Sequence, residues 1–279
     1  MKIDIVDRWV WITGASSGIG REIAIEAARR GGRLLLSGRN EAALAETLAA
    51  CEAARPGDPG RHGILAFDLL DRPGRAAAVQ RALALSGGFA LVVLNAGVSQ
   101  RARFETMKPE AFDLVMELDF AAPVDLVRRL LPSFGRGPAG LVLVSSAAGL
   151  VGAPQRSAYA AAKHALSGFG SVLRCELADR GLSVTTVYPG YVRTGIAQAA
   201  LGPEGRASGK PDPDIEAGAD PAKVAQKILA AALARRPQLL VALSLEARLG
   251  LFLTRHWPSM YARLAAAKAR RMAEAGAGT

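Results

Sequence analysis

Short apolar runs and longer helix-patterned stretches alternate along this chain, and that alternation limits its fold more than any other feature. WVWIT (9–13), RLLLS (33–37), GILAF (63–67), ALVVLN (90–95), GLVLVS (140–145), LSVTTVY (182–188) and QLLVAL (238–243) are short and almost continuously apolar. Such runs suit strands of a parallel sheet covered on both faces. Helical patterning fills the intervals at about 18–31, 40–54, 71–86, 109–134, 156–180 and 221–236. Regular alternation of this kind predicts an α/β fold: a doubly wound parallel sheet of about seven strands with helices on both faces. Asp220-Pro221 reads as a helix start, with a capping acceptor followed by proline at the first helical position.

One domain of this type can absorb most of the 279 residues. We expect residues 1–243 to form the sheet domain and 244–279 a basic helical extension, interrupted near Trp257-Pro258. The turn at 54–63 reads as polar and unremarkable. The long Gly-, Pro- and Ala-rich segment from Pro189 to Asp220 follows a strand end, where loops of that length line binding sites. This loop and the tail are expected to line the pocket, and the low polarity of Ile196, Ala197, Ala199, Ala200 and Leu201 suggests an apolar ligand. Cys51 and Cys175 make no disulfide framework, and the amino terminus has no apolar stretch of signal-peptide length. A reduced, soluble, cytoplasmic protein is expected. Net charge is +10, and the excess is most lopsided at the end. There Arg235, Arg236, Arg248, Arg255, Arg263, Lys268, Arg270 and Arg271 face only Glu246 and Glu274. A solvated helical face, an anionic membrane surface and an acidic partner all fit this excess. Nucleic acid does not, since no binding motif or aromatic-interleaved basic run is present. His62, His164 and His256 are scattered, so no metal site is expected.

The first strand runs into TGASSGIGRE, which opens a helix. Gly14, Gly18 and Gly20 let backbone approach a pyrophosphate, and the free N–H groups of the helix start attract it. The second strand ends in Ser37-Gly38-Arg39 with no acidic residue to hold a free ribose hydroxyl. Arg39 instead offers a fork suited to a 2′-phosphate, which favours NADP(H) over NAD(H). Further along, SAYAAAKHAL places Tyr159 and Lys163 four residues apart on one helical face. Taken alone, that pair could be a packed ring and a solvated charge.

TGASSGIG, Asn95-Ala96-Gly97, the Ser145-Ser146 pair, Tyr159-x-x-x-Lys163 and YPGYVRT (188–194), in this order, resemble the non-extended branch of the short-chain dehydrogenase/reductase family. The resemblance covers about residues 7–243, and the tail is faintly similar to that of corticosteroid-dehydrogenase-like reductases. It implies a Rossmann-type sheet and hydride transfer between a nicotinamide and a carbonyl or secondary alcohol. It also implies that Tyr159 is the general acid–base, Lys163 its partner and Ser146, thirteen residues before the tyrosine, the catalytic serine. The cofactor site it implies comprises Gly14, Ser16, Ser17, Gly18, Ile19, Gly20, Arg39, Asp68, Leu69, Asn95, Ala96, Gly97, Tyr159, Lys163, Pro189, Gly190, Val192 and Thr194. Asp68 falls near the adenine and Thr194 near the carboxamide. A homo-oligomer, dimer or tetramer, is implied through the helices around 109–134 and 156–180.

The chemistry suits these residue types. A free tyrosine has a pKa of about 10, too high for easy proton exchange at neutral pH. A neighbouring ammonium favours the phenolate, and a serine hydroxyl can hold the substrate oxygen. One position departs from the family pattern: Leu118-Asp119-Phe120 stands where an asparagine is usual. We expect Asp119 within one or two waters of Lys163, which puts the usual proton relay in question. The leading expectation is an NADP(H)-dependent oxidoreductase acting on a small carbonyl or alcohol substrate of apolar character. The alternatives are a non-catalytic cofactor-binding or sensing protein on the same scaffold, and a reductase of lipid-like substrates at a membrane surface.

Overall fold

The computed structural model describes residues 2–56, 60–134 and 138–277, with side chains given as far as Arg271. The polar turn expected over 54–63 therefore falls partly, at 57–59, outside the described residues. The strands are β1 (Trp9–Thr13), β2 (Arg33–Ser37), β3 (Gly63–Ile64), β4 (Leu91–Leu94), β5 (Ala139–Val144), β6 (Leu182–Pro189) and β7 (Gln238–Val241). They form one parallel sheet in the order β3-β2-β1-β4-β5-β6-β7. The order reverses between β1 and β4, and a crevice opens beyond the strand ends at such a reversal.

The unbroken apolar runs follow from burial on both sides. Val10 and Ile12 join the layer under α1 (Gly18–Arg29), α2 (Glu41–Ala54) and α8 (Pro221–Leu233), whereas Trp11 faces the opposite layer. That second layer lies under α3 (Arg72–Ser86), α5 (Ala122–Leu130) and α6 (Ser157–Glu176). Each fully buried Leu, Ile or Val contributes about 1.5–3 kcal/mol. Cys51 lies within the first layer, where burial pushes its thiol up to about 12, so it is an inert packing residue. The Asp220 start is as expected: its carboxylate accepts the Ala222 N–H at 2.9 Å.

Three elements differ from the sequence expectation. GILAF pairs as a strand only at Gly63–Ile64, although single bonds from Leu65 N–H to the Leu36 carbonyl and Phe67 N–H to the Gly38 carbonyl continue its direction. The loop from Pro189 to Asp220 includes the short helix α7 (Pro213–Glu216) and backbone ties from Leu201 to Ser99 and Arg101. The helix expected over 109–134 is divided into α4 (Pro109–Met116), a π-helical turn (Glu117–Ala121), α5 and a 3-10 turn (Leu131–Ser133). Pro123 explains the division, because it has no N–H to offer the carbonyl of Asp119, four residues back. The Ala122 N–H instead bonds five residues back, to Glu117. Buried Arg75 anchors the widened turn, donating to the Leu69 carbonyl at 2.7 Å and to Glu117 at 2.8 Å and facing Asp125 at 3.1 Å. After β7 the chain forms α9 (Leu245–His256) and α10 (Pro258–Ala277), with the break at Trp257-Pro258 as expected.

Candidate active site

Each part of the site is held by local structure. Gly14 has φ +65°, and a Cβ there would lie 2.8 Å from the Ala96 Cα. Only glycine lets the loop after β1 lie against the loop after β4. Thr13 locks the two loops together: its hydroxyl accepts the N–H groups of Asn95 (3.1 Å) and Ala96 (3.2 Å). The Asn95 amide returns two bonds, to the carbonyls of Thr13 and Gly14, both at 3.2 Å. Ser17 caps α1 without a side-chain bond, so the first N–H groups of that helix remain free beside the glycine turn. Thr13 heads the TGASSGIG motif, but sequence reasoning gave it no role, because its bonds to Asn95 and Ala96 join segments far apart in the chain.

Tyr159 and Lys163 occupy the first turns of α6, both buried, with the ammonium 5.7 Å from the ring centroid. The Lys163 Nζ donates to the Val144 carbonyl at 3.2 Å and sits 3.3 Å from the Asp119 carboxylate. Asp119 is fully buried, and its other oxygen accepts the Val98 N–H at 2.8 Å. Burial pushes the Asp119 carboxyl above the usual range, against the opposing pull of Lys163 and the Val98 N–H. The expected one or two intervening waters are thus replaced by a direct ion pair, because the π-helical turn brings Asp119 up to the lysine. Gly97 makes room for the pair, since a Cβ there would lie 2.9 Å from Asp119 and 3.2 Å from Lys163 Nζ.

The two serines diverge. Ser145 is buried, donating to the Lys163 carbonyl at 3.0 Å and lying 3.1 Å from Ser167. Ser146 is half-buried, and its hydroxyl accepts only the Ala148 N–H at 3.2 Å, which leaves its proton free for a ligand.

Ile19, Asn95, Gly97, Asp119, Ser146, Tyr159, Lys163, Pro189, Gly190, Val192 and Thr194 share a single cavity of about 470 Å³. The other sequence-derived positions are not among its lining residues. Gly14, Ser16, Ser17, Gly18 and Gly20 lie in the turn after β1 and the start of α1, and Ala96 in the loop after β4, with the Thr194 methyl 3.1 Å from where a Gly18 Cβ would be. Arg39 is exposed at the end of β2, next to Gly38, whose Cβ position is 3.5 Å from the Ser16 hydroxyl. Asp68 follows β3 and accepts the Leu70 N–H at 2.9 Å, and Leu69 offers its carbonyl to Arg75. Of the apolar loop residues expected around a ligand, only Ile196 lines the cavity. Ala197, Ala200 and Leu201 are buried, and Leu201 packs with Val115 and Tyr159, while Ala199 faces solvent. Further apolar lining includes Val98, Val151, Ile215 and the tail residues Leu249, Leu253 and Leu264. The tail was expected to line the pocket together with the 189–220 loop, and it does so because α9 and α10 fold back onto the site. Among the described residues no cluster of His, Cys, Asp and Glu could hold a metal ion.

The short chain dehydrogenase family model matches residues 8–204. Dehydrogenase/reductase SDR family member 7B of Bos taurus is 36% identical over 274 residues, 97% of this chain and 84% of that protein. Dehydrogenase/reductase SDR family protein 7-like of Drosophila melanogaster is 33% identical over 268 residues, 95% of this chain and 82% of that one. Among solved structures, a short chain dehydrogenase of Shigella flexneri complexed with NADP superposes with a TM-score of 0.73 at 29% identity, covering 86% of this chain and 98% of that one. A short chain dehydrogenase/reductase of Burkholderia phymatum in complex with NAD shares the fold, with a TM-score of 0.81 at 24% identity over 92% of this chain and 96% of that one. A nicotinamide cofactor fits the glycine turn, the uncapped helix start and the interlocked Thr13–Asn95 loops. With the family profile, relatives and geometry in agreement, this chain is a member of the short-chain dehydrogenase family.

Proposed function

We propose that the protein is an NADP(H)-dependent oxidoreductase that interconverts a carbonyl and a secondary alcohol on an apolar substrate. The observation that carries this reading is the single cavity shared by Tyr159, Lys163 and Ser146 with the end of the glycine turn. Gly14, Ser16, Ser17, Gly18 and Gly20 would hold the pyrophosphate, and Pro189 to Thr194 would border the nicotinamide. Bound there, the nicotinamide supplies or accepts the hydride. Tyr159 gives its phenolic proton to the substrate oxygen in reduction and takes it back in oxidation. Ser146 donates its free hydroxyl proton to the same oxygen. Lys163 keeps its ammonium beside the ring and spends two contacts on Val144 and Asp119. One N–H remains for a ribose hydroxyl. Neutral apolar walls at Val151, Ile196, Ile215 and Leu253 favour a hydrocarbon body on the substrate.

The NADP(H) preference rests on Arg39, which has no carboxylate partner among the described residues and stands beside the Ser16 turn. Arg39→Asp removes a donor to the 2′-phosphate and adds a repelling charge. The ratio of kcat/KM for NADPH to that for NADH should fall at least about tenfold, as expected for loss of one charge-assisted bond. Measuring that ratio with an apolar ketone tests the assignment, and an unchanged ratio contradicts it.

We also propose a cytoplasmic homo-oligomer, dimer or tetramer, paired through the outer face of α6, where Ala161, Gly168 and Val172 face solvent. Light scattering at micromolar concentration should give a multiple of the 29.1 kDa chain mass. A monomer mass would refute this.

A further inference from the structure

Half of the large apolar side chains that the described fold leaves exposed lie within one segment of twenty residues: Leu245, Leu249, Phe252, Trp257, Met260 and Leu264, each 45% to 83% exposed. They are ordered on their helices. Leu245, Leu249 and Phe252 follow the i, i+4, i+7 spacing of one face of α9, and Met260 and Leu264 are one turn apart on α10. Trp257 stands at the junction, its ring 5.5 Å from that of Phe252. Cations border this apolar face. Arg248 and Arg255 lie two turns from each other, both exposed on α9 beside the stripe, and Arg263, Arg270 and Arg271 extend along α10. Among the described residues none of these five arginines has a carboxylate partner, whereas Lys268 is paired with Glu246 at 2.6 Å.

An apolar stripe flanked by unpaired arginines, with an indole at its centre, complements one kind of surface: hydrocarbon beneath a layer of negative charge. No helix among the described residues is long and apolar enough to cross a membrane, so the match is to lying on a bilayer. We propose that the α9–α10 helix pair docks the enzyme on an anionic lipid bilayer, with its apolar side chains in the headgroup boundary and its arginines on lipid phosphates. The placement of the cavity gives docking a consequence. Leu249 and Leu264 belong both to the exposed face and to the lining of the catalytic cavity, together with Leu253, Tyr261 and Ala265. Tyr261 donates to the Gly152 carbonyl and ties α10 to the loop after β5. The docked enzyme therefore presents the mouth of its cavity to the lipid phase, and its substrate is an amphiphile whose carbonyl or hydroxyl is reached from the bilayer. This second part rests on the oxidoreductase reading above.

The test is co-sedimentation of the full chain with phosphatidylcholine vesicles, with and without phosphatidylserine. The expected result is binding that needs phosphatidylserine and falls with salt. Arg255→Glu with Arg263→Glu should lower it at least about tenfold, and Leu245→Ser with Phe252→Ser should abolish it. None of these four positions lines the cavity, so turnover of a short water-soluble ketone should be unchanged. In a Trp9→Phe variant, Trp257 emission should shift to the blue and be quenched by brominated lipid, since the one other indole, Trp11, is buried in the core. Binding equal for both vesicle types, or unaltered by the substitutions, overturns the proposal. So does a lack of binding in which Leu245→Ser with Phe252→Ser converts an oligomer to a monomer, which would make the face a subunit contact. Turnover without vesicle binding refutes only the docking. Vesicle binding without turnover of any ketone, short or long-chain, refutes the oxidoreductase reading instead.

Discussion

Tyr159→Phe should lower kcat/KM for ketone reduction by about 10²–10⁴-fold, the range that a positioned proton donor contributes, and leave NADPH affinity nearly unchanged. The substitution removes one hydroxyl and keeps the ring, which packs with Val115, Ala158 and Ala162. Stability should therefore hold, and a loss of rate cannot be charged to a lost core. Lys163 retains its contacts with Val144 and Asp119, so the ammonium stays in place. Steady-state kinetics and cofactor titration by fluorescence check both halves. A variant keeping more than about a tenth of the wild-type rate, a loss of less than roughly 1.4 kcal/mol, contradicts the acid–base role.

The second large effect falls on Asp119. Asp119→Ala leaves the Lys163 ammonium buried with only the Val144 carbonyl. Breaking a buried pair on one side costs about 3–5 kcal/mol, which urea unfolding at neutral pH should register. Asp119→Asn keeps an acceptor for the Val98 N–H and should cost much less. It also has a kinetic signature. An ionised carboxylate 3.3 Å from Lys163 offsets part of the positive potential that favours a phenolate on the same face. Alcohol oxidation needs a base on the substrate hydroxyl, so its rate should rise with pH, and Asp119→Asn should move that rising limb to lower pH. A limb that stays in place means that burial keeps the Asp119 carboxyl protonated, the direction in which desolvation already pushes it.

The pattern of apolar runs was enough to read the parallel sheet, because strands such as Val10–Ile12 and Leu141–Val144 are covered on both faces and carry no polar alternation to blur them. The edge was harder. GILAF looks like any other strand, yet at the sheet margin it has a neighbour on one side only and pairs through two residues. The helix over 109–134 hid a one-residue widening, since a π-helical turn leaves the apolar period almost unchanged. Pro123 was the visible clue, and its meaning lay in the carbonyl of Asp119 that it cannot reach. For the site, the glycines, Asn95, Ser146, Tyr159 and Lys163 were legible as motifs with fixed spacing. The contacts that fix their geometry were not. Thr13, Arg75 and the direct Asp119–Lys163 pair each join segments far apart in the chain, and neither periodicity nor local spacing records such pairings. The apolar wall was legible by segment, since the 189–220 loop (Ile196, Ile215) and the tail (Leu249, Leu253, Leu264) both line the cavity, but not by residue: Ala200 and Leu201 are consumed by packing.

Hydride transfer itself gives the most direct test of the central claim. The purified protein is incubated with NADPH deuterated at its transferable position and a set of apolar ketones, and the alcohols formed are analysed by mass spectrometry. The account predicts at least one product alcohol carrying a single deuterium on its carbinol carbon, formed by the wild-type chain and lost with Tyr159→Phe. Tight NADPH binding with no deuterated alcohol from any ketone, and none with labelled NADH, would contradict it.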